Sequence, residues 1–255
     1  MSQKETIKFV ILTKQRSGST WFTDLLNQYP DARVFAEIFN HQPLSYRNAE
    51  RAKGIVPPTL YYDFKKARRG IRPLVTFQYL NLVESWIGEA HKIGFKLMYD
   101  QLMPETLLYL ITRQYKFIHL VRENHLDVVL SSKHIENTGV DHLVEKYDQV
   151  ERQRIFLEPS SLLDQLDLYE KRINKFRKIL KLSPLPVLEI KYENLCQNLK
   201  QEMGLVEDFL LLESKSIWED NFKKIFKGSW REKISNHQEI EQFLRQTKFE
   251  KLLNM

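Results

Sequence analysis

The feature that most constrains this chain is an alternation of two kinds of segment. Short apolar runs, rich in β-branched residues, recur between stretches whose apolar residues step by three and four. Ile7–Leu12, Gly94–Met98, Lys116–Val121 and Val187–Lys191 are of the first kind. They read as strands buried on both faces, as in a parallel sheet. Leu162, Leu166, Tyr169, Ile173, Phe176 and Leu180 are of the second kind, tracing one helix face behind a Pro159-Ser160 start. Leu199, Met203, Val206 and Leu210 repeat that pattern after the Val187 strand. Such stripes are core packing, and strands alternating with helices predict an α/β fold with a central parallel β-sheet flanked by helices.

At 255 residues the chain can bury a core without staples, and 42% hydrophobic with 28% charged residues is globular composition. The single cysteine, Cys196, excludes an internal disulfide and a cysteine-built metal site. A reducing, cytoplasmic compartment is expected. Met1 to Lys8 is polar, and no apolar run is long enough for a transmembrane segment. The net charge of +6 suits an anionic partner. Its clusters, Lys65–Arg72, Lys171–Lys181 and Lys223–Lys233, read as solvated helix faces, so no nucleic acid partner is expected. Residues 42–92 are weakly periodic, basic and aromatic (Tyr46, Tyr61, Tyr62, Phe64, Phe77, Tyr79, Trp86). They read as an acceptor-side insertion within a single domain spanning 1–255. The aromatics would either anchor the insertion to the core or wall an acceptor site.

The first chemical signal follows the first strand: Arg16-Ser17-Gly18-Ser19-Thr20-Trp21, leading into an apolar helix from Thr20 to Gln28. A strand, a Gly turn and a helix start form an anion site, because the first helical N–H groups and the helix dipole face the ligand. Gly18 allows close backbone approach, the hydroxyls add donors, and Arg16 adds a fixed positive fork. The turn lacks the first Gly and the Lys of G-x-x-x-x-G-K-[ST], which disfavours a magnesium-dependent triphosphate enzyme. Taken alone it is also an ordinary helix start, with Ser17 or Ser19 as N-cap.

These residues resemble the sulfotransferase family. The Arg16–Trp21 turn is similar to its 5′-phosphosulfate loop. Phe117-Ile118-His119-Leu120-Val121-Arg122, followed by Asn124, Asp127, Val128 and Ser131, is similar to its 3′-phosphate-binding strand and helix. Tyr192-Glu193-Asn194-Leu195 resembles its Y-E-[DN]-L element, and Lys227-Gly228-Ser229-Trp230-Arg231 its C-terminal Lys-Gly…Trp segment. The resemblance implies a three-layer, P-loop-like fold. It also implies 3′-phosphoadenosine 5′-phosphosulfate (PAPS) as sulfuryl donor, no metal, and a small-molecule or glycan acceptor. It puts Arg16, Ser17, Gly18, Ser19 and Thr20 on the 5′-phosphosulfate and Trp21 beside the adenine. Arg122 and Ser131 would hold the 3′-phosphate, with Tyr192 near the base and Lys227 and Gly228 near the 3′-phosphate. The Arg122–Ser131 spacing is one residue longer than in cytosolic members, so Arg122 is assigned over Glu123 by chemistry, and Ser132 is a substitute for Ser131. The bland alternative pairs Arg122 with a neighbouring acid such as Glu123.

Phenol- and steroid-type members carry a catalytic His in a Lys-Thr-His-Leu strand. Here the stretch is Lys96-Leu97-Met98-Tyr99, without a His. Carbohydrate-type members place a Glu after the first helix, and Val34-Phe35-Ala36-Glu37-Ile38-Phe39 is similar to that segment. Glu37, at the end of a short second strand, is therefore the expected general base, with His41 and His134 in reserve. Arg16 would neutralise the departing 5′-phosphate. The rival readings are a nucleotide kinase, an inactive nucleotide-binding partner protein and a basic RNA-binding module.

Overall fold

The structure is a computed structural model and describes residues 6–40, 56–138, 154–215, 217–219 and 228–255. The chain divides into two compact units, Met1–Val121 with Lys178–Glu219, and Arg122–Arg177 with Asp220–Met255. Its strands are β1 (Ile7–Thr13), β2 (Ala32–Glu37), β3 (Lys92–Met98), β4 (Lys116–Val121) and β5 (Val187–Lys191). The first helices are α1 (Ser19–Asn27), α2 (Tyr61–Lys66), α3 (Arg72–Ser85), α4 (Pro104–Thr112) and α5 (His125–Thr138). The remainder are α6 (Pro159–Leu182), α7 (Tyr192–Gln197), α8 (Leu199–Leu210), α9 (Trp230–Lys233) and α10 (His237–Arg245).

In the first unit the strands form one sheet in the order β2-β3-β1-β4-β5, every neighbouring pair parallel. The apolar run of β1 takes the centre. One sheet face, with Phe9, Ile11, Ile118, Leu120 and Ile190, packs on Phe22, Leu25 and Leu26 of α1 and on Met203, Val206 and Leu210 of α8. On the other face Phe95 meets Tyr115 at 5.9 Å between ring centroids, and Tyr115 meets Tyr109 of α4 at 6.3 Å. Helices thus cover both faces, which is the three-layer, P-loop-like arrangement expected. The β2–β3 register breaks once: Phe35 pairs with Phe95, Ala36 is skipped in a bulge, and Glu37 pairs with Lys96.

Of the weakly periodic 42–92 segment, residues 56–92 are described, and they contain α2 and α3. Apart from the exposed Tyr62, their aromatics serve as anchors. Tyr79 is fully buried, its ring 5.3 Å from those of both Tyr61 and Phe64. Its hydroxyl donates to the carbonyls of Ile38 and Thr59 at 3.0 and 2.9 Å. Phe77 packs on Tyr109 and Trp86 on Phe35. At the end of α3, Glu84 accepts from Tyr109 (2.9 Å), Tyr115 (3.2 Å) and Arg113 (2.6 Å) and lies 3.3 Å from Lys8. Burial pushes the Glu84 carboxyl up, but Arg113, Tyr109 and Lys8 together hold it below the usual carboxylate range.

The second unit packs α5, α6, α9 and α10 around Leu126, Val129, Leu162, Leu166, Ile234, Ile240, Leu244 and Phe249. A parallel bridge joins Ile155 to Ile234, and the Asn236 side chain clamps both the N–H and the carbonyl of Leu157 (3.1 and 2.7 Å).

Candidate active site

In open α/β sheets ligands gather outside the carboxyl ends of the strands, where the strand order reverses. Here that is the end of β1, which has β3 and β4 as neighbours. The turn leaving it is held by side chains. Thr13 Oγ1 donates to the Leu120 carbonyl (2.8 Å) and accepts from Ser17 Oγ, whose proton is shared with the Lys14 carbonyl at 2.6 Å. Arg16 and Gly18 both take left-handed backbone angles, φ 68° and 79°. For a non-glycine residue such as Arg16 this costs on the order of 1 kcal/mol or more and persists only where its surroundings fix it. The N-cap of α1 is Gly18, with no side-chain cap bond. Neither serine caps the helix, contrary to the ordinary-helix alternative: Ser17 folds the turn, and Ser19 Cα already lies within the helix. The first N–H groups of α1 therefore have no side-chain cap, an arrangement that can accept an anion.

Tyr192, first residue of α7, lies directly against Gly18. A Cβ at Gly18 would fall 2.2 Å from Tyr192 Cε2. Trp21 meets the Tyr192 ring edge-on at 6.0 Å. Its Nε1 is buried without a hydrogen-bond partner among the described residues. A buried indole N–H lacking an acceptor, beside a backbone cradle that admits no side chain, fits a ligand with acceptor atoms.

Lys96 has the geometry that the sequence reading missed. It sits in β3 with 4% of its surface exposed. Its Nζ lies 3.2 Å from Glu37 Oε1 and donates to Thr20 Oγ1 at 3.3 Å. One buried ammonium thus joins the end of β2 to the first turn of α1. A buried lysine is kept only when paired, and Glu37 is its partner. The signal was available: a lysine inside a strand covered on both faces needs a counter-charge. A second chain of polar groups crosses the opposite sheet face. His119, 1% exposed, meets Tyr99 Oη at 2.7 Å through Nε2 and Glu189 Oε2 at 3.0 Å through Nδ1. It ties the residue after β3 to β4 and β5.

In the second unit Arg122 donates from Nη2 to Asp127 Oδ2 at 2.7 Å. Glu123 meets Arg177 at 3.5 Å, and the neighbouring acid that Arg122 pairs with is Asp127, as the bland alternative allows. Asn124 Oδ1 accepts from the Asp127 N–H (3.0 Å), capping α5. Lys233, 7% exposed, places Nζ 3.6 Å from Asp127 Oδ1. A cleft of about 560 Å³ is lined by Asn124, Asp127, Gly228, Ser229 and Lys233. Ser131 is half-buried on α5, while the Ser132 hydroxyl turns back to the Val128 carbonyl at 3.0 Å. His134 is buried in this unit, and Gly228 has φ 99°. Lys227 and His41 lie outside the described residues. Among the described residues, no group of three or more His, Cys, Asp or Glu side chains could hold a metal ion.

A sulfotransferase-family model matches residues 9–216. The chain belongs to the sulfotransferase family. That membership sets aside the kinase and RNA-binding readings. No curated protein matches the chain significantly. Among solved structures, a sulfotransferase from Alicyclobacillus acidocaldarius is 12% identical, with 97% of this chain and 96% of that one covered and a TM-score of 0.49. Mouse sulfotransferase SULT7A1 complexed with PAP is 14% identical, with coverages of 99% and 88% and a TM-score of 0.48. The sulfotransferase domain from the curacin biosynthetic pathway is 18% identical, with coverages of 90% and 80% and a TM-score of 0.49.

Proposed function

We propose that this sulfotransferase uses PAPS and sulfates a hydroxyl of a carbohydrate or glycolipid-like small molecule, with Glu37 as general base. The observation that carries the reading is the buried Lys96 ammonium shared between Glu37 and Thr20. Glu37 takes the acceptor proton as the acceptor oxygen bonds to sulfur and the bond from sulfur to the 5′-phosphate oxygen breaks. Protonation of Glu37 neutralises the counter-charge of Lys96. The ammonium then turns its full charge toward the α1 N-terminus, where negative charge develops on the leaving oxygen. Arg16 and the uncapped N–H groups of Ser19 and Thr20 face that charge, and adenosine 3′,5′-bisphosphate (PAP) leaves. PAPS supplies the activated sulfuryl group.

Trp21 and Tyr192 are assigned to the base, with the unpartnered Trp21 N–H in support. Arg122, Ser131, Lys227 and Gly228 are assigned to the 3′-phosphate. The Arg122–Asp127 pair supports this, because it holds a guanidinium in a fixed position. The family match draws on residues of both units, which supports reading 1–255 as one sulfotransferase domain with an acceptor-side insertion at 42–92. A cytoplasmic site of action accords with the lone cysteine.

Calorimetric titration with PAP, against ATP without magnesium, tests the donor. Preferential binding of PAP, lost in Arg122→Ala, is expected, and equal affinity for both nucleotides would remove PAPS. Glu37→Gln tests the base: turnover falls by about 10²–10⁴-fold with PAP affinity unchanged. Retained turnover moves the base elsewhere.

A further inference from the structure

The loop between α2 and α3 carries a surface that the transfer chemistry does not use. Every residue from Lys65 to Leu74 is exposed. Lys65, Lys66, Arg68, Arg69 and Arg72 fall within this stretch, and Asp63 is the one carboxylate nearby, the next along the chain being Glu84. Five cations less one carboxylate place +4 of the chain's net +6 on residues 61–74. Arg72 meets Glu105 of α4 at 2.6 Å, and Lys66 and Arg68 lie over the rings of Tyr62 and Phe64. Lys65 and Arg69 have no ion-pair partner among the described residues. Between these charges protrude two aliphatic side chains, Ile71 at 73% exposure and Leu74 at 53%.

This presentation is held from below. Phe64, Val75 and Tyr79 are buried under the loop, and Tyr61 Oη hydrogen-bonds Thr76 Oγ1 at 2.9 Å. The apolar residues therefore point outward from a packed base. A solvated helix face explains the cations and leaves Ile71 and Leu74 without a purpose. A nucleic acid or another soluble polyanion does the same. Cations flanking exposed aliphatics are what an anionic bilayer surface rewards: the charges meet the headgroups and the side chains enter the acyl boundary.

We propose that the α2–α3 loop docks this protein on anionic lipid bilayers, with Lys65, Lys66, Arg68 and Arg69 at the headgroups and Ile71 and Leu74 inserted. No described helix is long and apolar enough to cross the membrane, so the association is peripheral. The inference is independent of the donor reading, because its test needs no nucleotide.

The test is co-sedimentation of the full chain with phosphatidylcholine vesicles, with and without about one third phosphatidylglycerol. Binding to the anionic vesicles alone, weakened by salt, is expected. Lys65→Ala with Arg69→Ala should lower partitioning roughly 30-fold, at about fivefold per cation. Ile71→Ser with Leu74→Ser should lower it by about tenfold or more. All four side chains are exposed, so thermal melts of both variants should match the wild type. Absence of binding to anionic vesicles overturns the proposal. So does full binding by the double serine variant, or an oligonucleotide that competes equally with either variant; these outcomes mark the loop as a polyanion surface.

Discussion

Replacing Gly18 by alanine tests the geometry of the anion turn through stability alone. Gly18 has φ 79°, where an L-residue pays about 1 kcal/mol relative to glycine. The added Cβ would also meet Tyr192 Cε2 and Cδ2 at 2.2 and 2.3 Å, so the ring must move by more than 1 Å. Moving it breaks the edge contact with Trp21, worth about 0.5–1.5 kcal/mol. The expected loss is therefore about 1.5–2.5 kcal/mol, or roughly 3–10 °C in melting temperature for a chain of this size. Thermal unfolding followed by circular dichroism reads it. Tyr192→Ala supplies the control: with the ring gone, Gly18→Ala should cost only the backbone component, about 1 kcal/mol, leaving a coupling of about 0.5–1.5 kcal/mol between the sites. A Gly18→Ala protein melting within about 1 °C of wild type would refute the left-handed turn. Equal costs in both backgrounds would refute the ring contact.

Two further expectations concern charge. Lys96→Met should lower turnover by about 10²-fold or more while PAP affinity changes far less, since the ammonium matters most to the developing charge; steady-state kinetics with calorimetry separate the two. Glu84→Gln should destabilise the protein near neutral pH. Because the Glu84 carboxyl is held below its unfolded value, its contribution is present above about pH 4.3 and is lost as pH falls through the lower folded value. The melting gap between variant and wild type should accordingly close in acid, and a pH-independent gap would contradict it.

Much of the fold is legible in the sequence because strands buried on both faces must be apolar throughout, and β1, β4 and β5 are bounded nearly as their patterns predict. Helix α3 is not legible. Val75, Thr76, Tyr79, Leu80 and Val83 are buried while Ile71 and Leu74 stand exposed at its start, so no clean stripe survives. The turn at Arg16–Thr20 announces itself by residue type. Which group caps α1 does not, because Ser17 is claimed by the Lys14 carbonyl and Thr13, and the outcome rests on tertiary competition. Lys96 was half legible: a lysine in a doubly covered strand demands a counter-charge, but its partners come from β2 and α1, and which they are depends on a register that local patterning does not encode. Asp127 is a milder case. Five residues after Arg122 and one helical turn from its Asn124 cap, it outcompetes the adjacent Glu123 through helix geometry.

The skipped Ala36 carries a consequence for how this site tolerates change in chain length. Side chains alternate across a strand, and Val34 and Phe35 obey that alternation, on opposite sheet faces. One surplus residue resets the parity, so Glu37 emerges beside Lys96 on the α1 face. Without the bulge an ideal ladder would pair Ala36 with Lys96 and Glu37 with Leu97, sending the carboxylate through to the other side of the sheet, whereas deleting Ala36 would leave Glu37 opposite Lys96. Straightening the strand at its present length would therefore cost the site its acid–ammonium pair without removing a single reactive group. The bulge at this one position is as much a part of the chemistry as the identity of the glutamate.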